Sequence, residues 1–240
     1  MNLTIAQFTY HALLGRRRML LLLILPALLV GMAVIIRLAA GPNVDAGVVV
    51  TVLQNFALGA VLPLLGLLAG TGAIGTEIDD GSIVYLLAKP VTRPTIVRTK
   101  LVMAIGCVFV CAALPVLLAG LVLSGSVENL AIAFAVAAAV GGAAYCVIFL
   151  LLAVVTRHAV VIGLVYALAW ETLVGGYLPG AQALSVQQWA LTIADALTPS
   201  AQVHATLRLP VAIVLLLVTV GGGIWFSGHR LRSYTVAHAD

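Results

Sequence analysis

The sequence predicts an all-α, polytopic membrane protein with six transmembrane helices, and three observations lead there. First, 63% of its 240 residues are hydrophobic and only 8% are charged, giving a mean hydropathy of +1.20. A water-soluble chain carries charge on roughly a quarter of its residues. Second, apolar runs of about twenty residues recur along the whole length, each long enough to cross a bilayer as a helix. Third, those runs are apolar on all sides, without the alternation of barrel strands. Inside lipid every backbone N–H and C=O must be paired internally, so helices are what remains. Residues 1–240 read as one integrated membrane domain, which excludes a soluble protein. The net charge of +4 does not point to nucleic acid, because the bases cap apolar segments and no basic run is interleaved with aromatics.

Taken in order, residues 3–14 interleave Leu3, Ile5, Phe8 and Leu13 with Thr4, Gln7, Thr9 and His11. That mixture fits an amphipathic helix lying in the membrane interface, and equally a cytosolic tail. Residues 19–36, preceded by Arg16, Arg17 and Arg18, imitate a signal peptide. The run is longer than an h-region and Arg37-Leu38-Ala39-Ala40 offers no good cleavage site, so it is an uncleaved first crossing. Gly41-Pro42-Asn43 turns the chain into a second run over about residues 48–74. A third begins just after Lys100 and ends near Gly125, a fourth covers about 130–155, and Arg157-His158 turns into a fifth at 159–178. Residues 179–208 carry Trp189, Asp195, Pro199, His204 and Arg208; the tryptophan and mixed polarity suit a helix pair resting on the outer interface. A sixth run at about 210–226 leads into a polar tail.

An even number of crossings puts both termini on one side, and the bases say which. Arg16, Arg17, Arg18, Lys89, Arg93, Arg98, Lys100, Arg157, Arg230 and Arg232 share the side of the termini, against Arg37 and Arg208 on the other. Excess Lys and Arg mark cytoplasmic loops, so both termini are expected in the cytosol. Arginine outnumbers lysine and alanine is abundant, which suits a high-GC bacterium and hence a bacterial cytoplasmic membrane. Cys107, Cys111 and Cys146 all fall within apolar runs and read as small buried hydrophobes, not as a disulfide or metal set.

Several motifs dissolve in context. Gly70-Thr71-Gly72-Ala73-Ile74-Gly75 spells G-x-G-x-x-G, but it closes a membrane helix, and Pro90 stands where a ribose-binding acid is needed. Gly66 and Gly70 instead form G-x-x-x-G, which lets helices approach closely in lipid. No P-loop and no H-E-x-x-H occurs, and no membrane-embedded Ser–His pair stands out. The chain is therefore not expected to be an enzyme, and no metal or cofactor site is expected in it. A metal site from Asp195 and His204 lacks further ligands.

The informative stretch is residues 77–100, EIDDGSIVYLLAKPVTRPTIVRTK, the only long polar interruption between two membrane-length runs in the first half. It holds three of the eight acids and four of the twelve bases. Asp79 and Asp80 precede Ile83, Leu86 and Leu87 at helical spacing, and acids favour a helix start. Pro90 stops that segment by forcing Lys89 out of helical geometry. Thr92-Arg93-Pro94 starts the next helix, with Arg98 and Lys100 expected at the inner headgroups. The product is a short helix exposing an apolar face that needs a partner.

Glu77-x-x-x-Gly81-Ser82-x-x-x-Leu86-Leu87-x-x-Pro90-Val91-x-Arg93, followed by Lys100 at the mouth of the third helix, resembles the signature of ABC-2 type transporter permeases. The resemblance covers essentially the whole chain: interface helix, six crossings, and a re-entrant-like outer segment before the sixth. Ser82 stands where the family often has threonine. The resemblance implies that the connector between helices two and three is a cytoplasmic coupling helix seated in a groove of a separate P-loop ATPase. Asp80, Gly81, Ser82, Tyr85 and Leu86 are the implied contacts, with Glu77, Asp79 and Arg93 bracketing them. It further implies two ATPase subunits holding ATP and Mg, a second permease chain (identical or paralogous), surrounding lipids, and export of a small or amphipathic substrate. Rival readings are an ABC-2-like permease serving metal-centre maturation, of the copper-enzyme assembly type, and a partner-free channel or scaffold.

Glu171, inside the fifth run beside Trp170, is the other residue of interest. A charge at mid-bilayer costs on the order of 2.5–3.5 kcal/mol on insertion scales, so it faces protein or a water-filled path, or sits in the interface beside Trp170. It is either a substrate-path or gating residue or a satisfied structural carboxylate.

Overall fold

A computed structural model describes residues 16–41, 44–79, 93–125, 128–156, 158–174, 181–198, 203 and 205–233. Among these residues there is no strand. We number seven helices. α1 is Arg16–Ala40. α2 runs from Ala46–Thr51 through Val52–Val61 to Leu62–Asp79, and α3 from Arg93–Val108 through Phe109–Ala113 to Leu114–Ser124. α4 is Glu128–Val155, and α5 joins Ala159–Val165 to Tyr166–Val174. After a 3₁₀ turn at Ala181–Leu184 come α6, Val186–Leu197, and α7, Leu209–Ser233. The expected interface helix at 3–14 and the connector helix at 82–88 lie outside the described residues.

Among the described residues, five helices are long and apolar enough to cross a membrane: α1, α2, α3, α4 and α7. The described part of the fifth run holds a shorter apolar helix, Ala159–Glu171. The other helix starts follow local signals. α3 begins at Arg93, directly before Pro94, whose missing N–H costs nothing in a first turn. α3 ends at Gly125, whose φ of +58° is left-handed, and its N–H bonds the Leu121 carbonyl.

Three stretches are π-helical: Val52–Val61, Phe109–Ala113 and Tyr166–Val174. The first two end just before Pro63 and Pro115. A proline clashes with the carbonyl four residues back and removes a donor, and a wider turn there absorbs both defects. The third has no proline, and it contains Glu171.

α4 is the hub. α2, α3, α5, α6 and α7 all pack on it, and 61% of its spanning stretch is buried, against 22% for α1 and 17% for α7. Small residues make this possible. A Cβ on Gly66 would lie 2.5 Å from the Tyr145 Cβ, and one on Gly70 2.8 Å from the Cys146 carbonyl oxygen. The G-x-x-x-G pair is thus the face by which α2 meets α4. Cys146 is buried in this contact, Cys107 and Cys111 are half-buried, and all three are free of disulfides.

Candidate functional site

Among the described residues, two places in the bundle hold buried charge, and they bear on the sequence expectations differently. The first is Glu171, which has no exposed surface. Its π-helical setting matters: residues five apart fall on one face of a π turn, and Tyr166 donates its hydroxyl to Glu171 Oε1 at 3.3 Å. The rest of its shell is the start of α6. Ser185 Oγ donates to Oε2 at 2.5 Å, the Val186 amide to Oε1 at 3.1 Å, and the Gln187 amide to Oε2 at 3.5 Å. Ser185 is also the N-cap of α6, accepting from the Gln188 amide at 3.3 Å.

The first N–H groups of any helix lack intrahelical partners. In α6 they are met by a capping serine and by a carboxylate from another helix. The positive end of the helix dipole favours that negative charge. A carboxylate offers about four lone-pair sites, and four donors fill them. The Tyr145 hydroxyl is fully buried near the same carboxylate and the Gln187 amide, yet has no partner in hydrogen-bonding geometry. Of the two readings of Glu171, the geometry favours the structural carboxylate.

α6, expected as part of a helix pair at the outer interface, is buried against the rest of the bundle. Trp189 is 5% exposed, and its indole N–H donates 2.8 Å to the Ala183 carbonyl. A Cβ on Gly141 would lie 2.9 Å from the Ala190 Cβ. Gly141 is in the middle of α4, roughly 20 Å from either end at 1.5 Å per residue. Its polar residues are turned inward and paired: Gln187 Nε2 donates 2.9 Å to the Gln54 carbonyl in the first π stretch, and Gln188 Oε1 accepts from Thr206 Oγ1 at 3.2 Å. Gly59 leaves room for the Gln187 amide, which a Cβ there would approach to 2.9 Å. Readable but unused in the sequence was Ser185-Val186-Gln187-Gln188, an S-x-x-Q helix start.

The second place is the base of the connector. Glu77 and Asp79 belong to the last turns of α2, so Asp79 ends a long helix instead of opening a short one. Arg93 opens α3. Asp80, Gly81, Ser82, Tyr85 and Leu86 lie outside the described residues. Lys100 departs from expectation: it is fully buried, not at headgroups, and its Nζ donates 2.7 Å to the Ala73 carbonyl of α2. Arg98, two residues earlier, is exposed. Among the described residues no three His, Cys, Asp or Glu side chains converge as a metal site. His204 lies outside them.

A search of curated proteins finds no match to this chain. Its sequence does match the family described as ABC-2 family transporter protein, over residues 5–213. That match takes in all of α1 to α6, the connector, and the start of α7. The architecture is that of a multi-pass, all-helical membrane protein with a permease role, and the chain belongs to the ABC-2 family of transporter proteins.

Proposed function

We propose that this chain is the permease subunit of an ATP-driven exporter and is driven by a separate P-loop ATPase gripping the connector between α2 and α3. The observation that carries the reading is the family match across residues 5–213, which takes in the connector as well as the helices on either side. Glu77 and Asp79 at the end of α2, and Arg93 at the start of α3, flank the polar stretch. ATP-driven closure of two ATPases would press the connectors of two permease chains, identical or paralogous. Such a push biases the permease only if its two states bind the ATPase differently. This chain supplies path and lever, while ATP and Mg sit on the partner. The aliphatic helix faces suit a small or amphipathic cargo.

We read α5 and α6 as two halves of one interrupted fifth crossing, which brings the total to six. α5 has seven α-helical and nine π-helical residues, at most about 24 Å long against a hydrocarbon core of about 30 Å. α6 begins at Glu171 and packs along the middle of α4. Irregular backbone at membrane depth is tolerated where protein covers it. Six crossings then place both termini in the cytosol of a bacterial cell, by the basic residues.

Purification of the tagged chain from native membranes tests the reading. A P-loop ATPase should co-elute, and its hydrolysis should respond to a panel of lipids, drugs and metals. Reproducible absence of any ATPase would favour a partner-free channel. A complex stimulated only by metals would favour metal-centre maturation.

A further inference from the structure

Lys100 is a fully buried lysine in the seam between α2 and α3. Its chain neighbours Thr99 and Leu101 are each 3% exposed, and Ala73, Ile74 and Ala104 have no exposed surface. A charge taken out of water is costly unless it is hydrogen-bonded, and the 2.7 Å contact to the Ala73 carbonyl supplies one such bond. A lysine near a helix end ordinarily runs its stem outward and keeps its ammonium in water. This one is turned inward, across to another helix.

The placement of the two partners is what gives the contact meaning. Ala73 lies within the last three turns of α2, which ends at Asp79, and Lys100 lies in the third turn of α3, which starts at Arg93. The bond therefore ties the helix entering the connector to the helix leaving it. α2 and α3 also pack on each other directly. Apolar packing alone lets helices slide, because dispersion contacts are non-directional. An N–H···O bond to a backbone carbonyl fixes both register and spacing.

We propose that Lys100 is a clasp that makes the end of α2 and the start of α3 one rigid body, so that force on the connector moves both helices together. The clasp is a positioning residue for coupling, and this role rests on the reading of the connector as an ATPase handle. Without the clasp, a stroke on the connector spreads the two helices at their base and is lost there. ATP would still be hydrolysed, but the far end of α3 would no longer follow.

Hydrogen exchange in lipid nanodiscs tests this in two arms. In the isolated permease, Lys100→Met, which keeps the length of the side chain but not its donor, should speed amide exchange roughly tenfold or more in residues 73–79 and 93–101. Lys100→Arg, which keeps a donor, should stay near wild type. Unchanged exchange in Lys100→Met overturns the clasp. In the complex with the co-purified ATPase, ATP with vanadate should alter exchange in residues 114–124 of the wild type. In Lys100→Met that response should disappear while ATPase binding and hydrolysis persist. A response equal to wild type overturns the coupling role. If no ATPase binds the wild type, the handle reading fails and the coupling role with it, while the first arm still decides whether the clasp exists. Where Lys100→Met does not assemble, Lys100→Gln, with its donors on a shorter stem, serves with the same predicted loss. Unchanged exchange in it counts equally against the clasp.

Discussion

Glu171 and Lys100 are both fully buried charges, yet the bundle holds them in opposite ways. The anion sits at the start of a helix, where amide N–H groups lack partners, and collects four donors from Tyr166, Ser185, Val186 and Gln187. The cation reaches across to a carbonyl on the side of a continuous helix. One charge is built into a break in the chain, and the other spans two long helices. A short side chain amid a saturated shell makes a fixed anchor. A four-carbon stem ending on one helix wall makes a tie whose two ends can be separated. At Glu171 the unpaired amide N–H groups at the start of α6 favour an anion.

The comparison breaks most sharply at Glu171. Glu171→Gln turns two N–H donors toward a shell made of donors, and should destabilise the protein by about 2–4 kcal/mol. Equilibrium unfolding in mixed micelles measures this, and a neutral result would return Glu171 to the path or gating role. Next comes Gly66→Leu, which drives a side chain into Tyr145 beside Glu171. About 1–3 kcal/mol of overpacking is expected, whereas Gly106→Leu, with nothing within 4 Å, should leave the melting temperature in detergent nearly unchanged. Equal effects would mean that the α2–α4 contact is looser than drawn.

Gln187→Leu removes the donor to the Gln54 carbonyl and should cost about 1 kcal/mol. It should also raise proteolytic nicking near α6 while sparing the connector end. Smallest is Gly125→Ala. A left-handed φ of +58° disfavours a Cβ, and that Cβ would stand 2.8 Å from the Arg37 guanidinium. About 1 kcal/mol is expected, read as a shift in denaturant midpoint with unchanged slope.

Much of this was legible in the sequence because lipid leaves few options. Membrane length alone identified α1 to α4 and α7, Gly66 and Gly70 marked a packing face, and Pro94 marked a helix start. The π-helical stretch in the fifth run was not legible, because residues 159–178 stay apolar past the point where the helix changes register. Hydropathy reports what a segment is made of, not whether its turns are α or π. The partner of Trp189 was not legible for a related reason: an indole N–H needs an acceptor, and a headgroup or the Ala183 carbonyl serves equally. Lys100 misled because an ammonium at a helix end usually snorkels, and nothing local in residues 98–101 announces a carbonyl on α2. The coupling contacts Asp80, Gly81, Ser82, Tyr85 and Leu86 rest on sequence resemblance alone, since they lie outside the described residues.

The most direct test of the ATPase handle replaces residues 80–88 with a glycine-serine segment of equal length and returns the chain to its native membrane. The account predicts a folded permease, with the Glu171 and Lys100 contacts intact, that no longer retains or stimulates an ATPase. An ATPase that still co-elutes with undiminished ATP-dependent transport would contradict it.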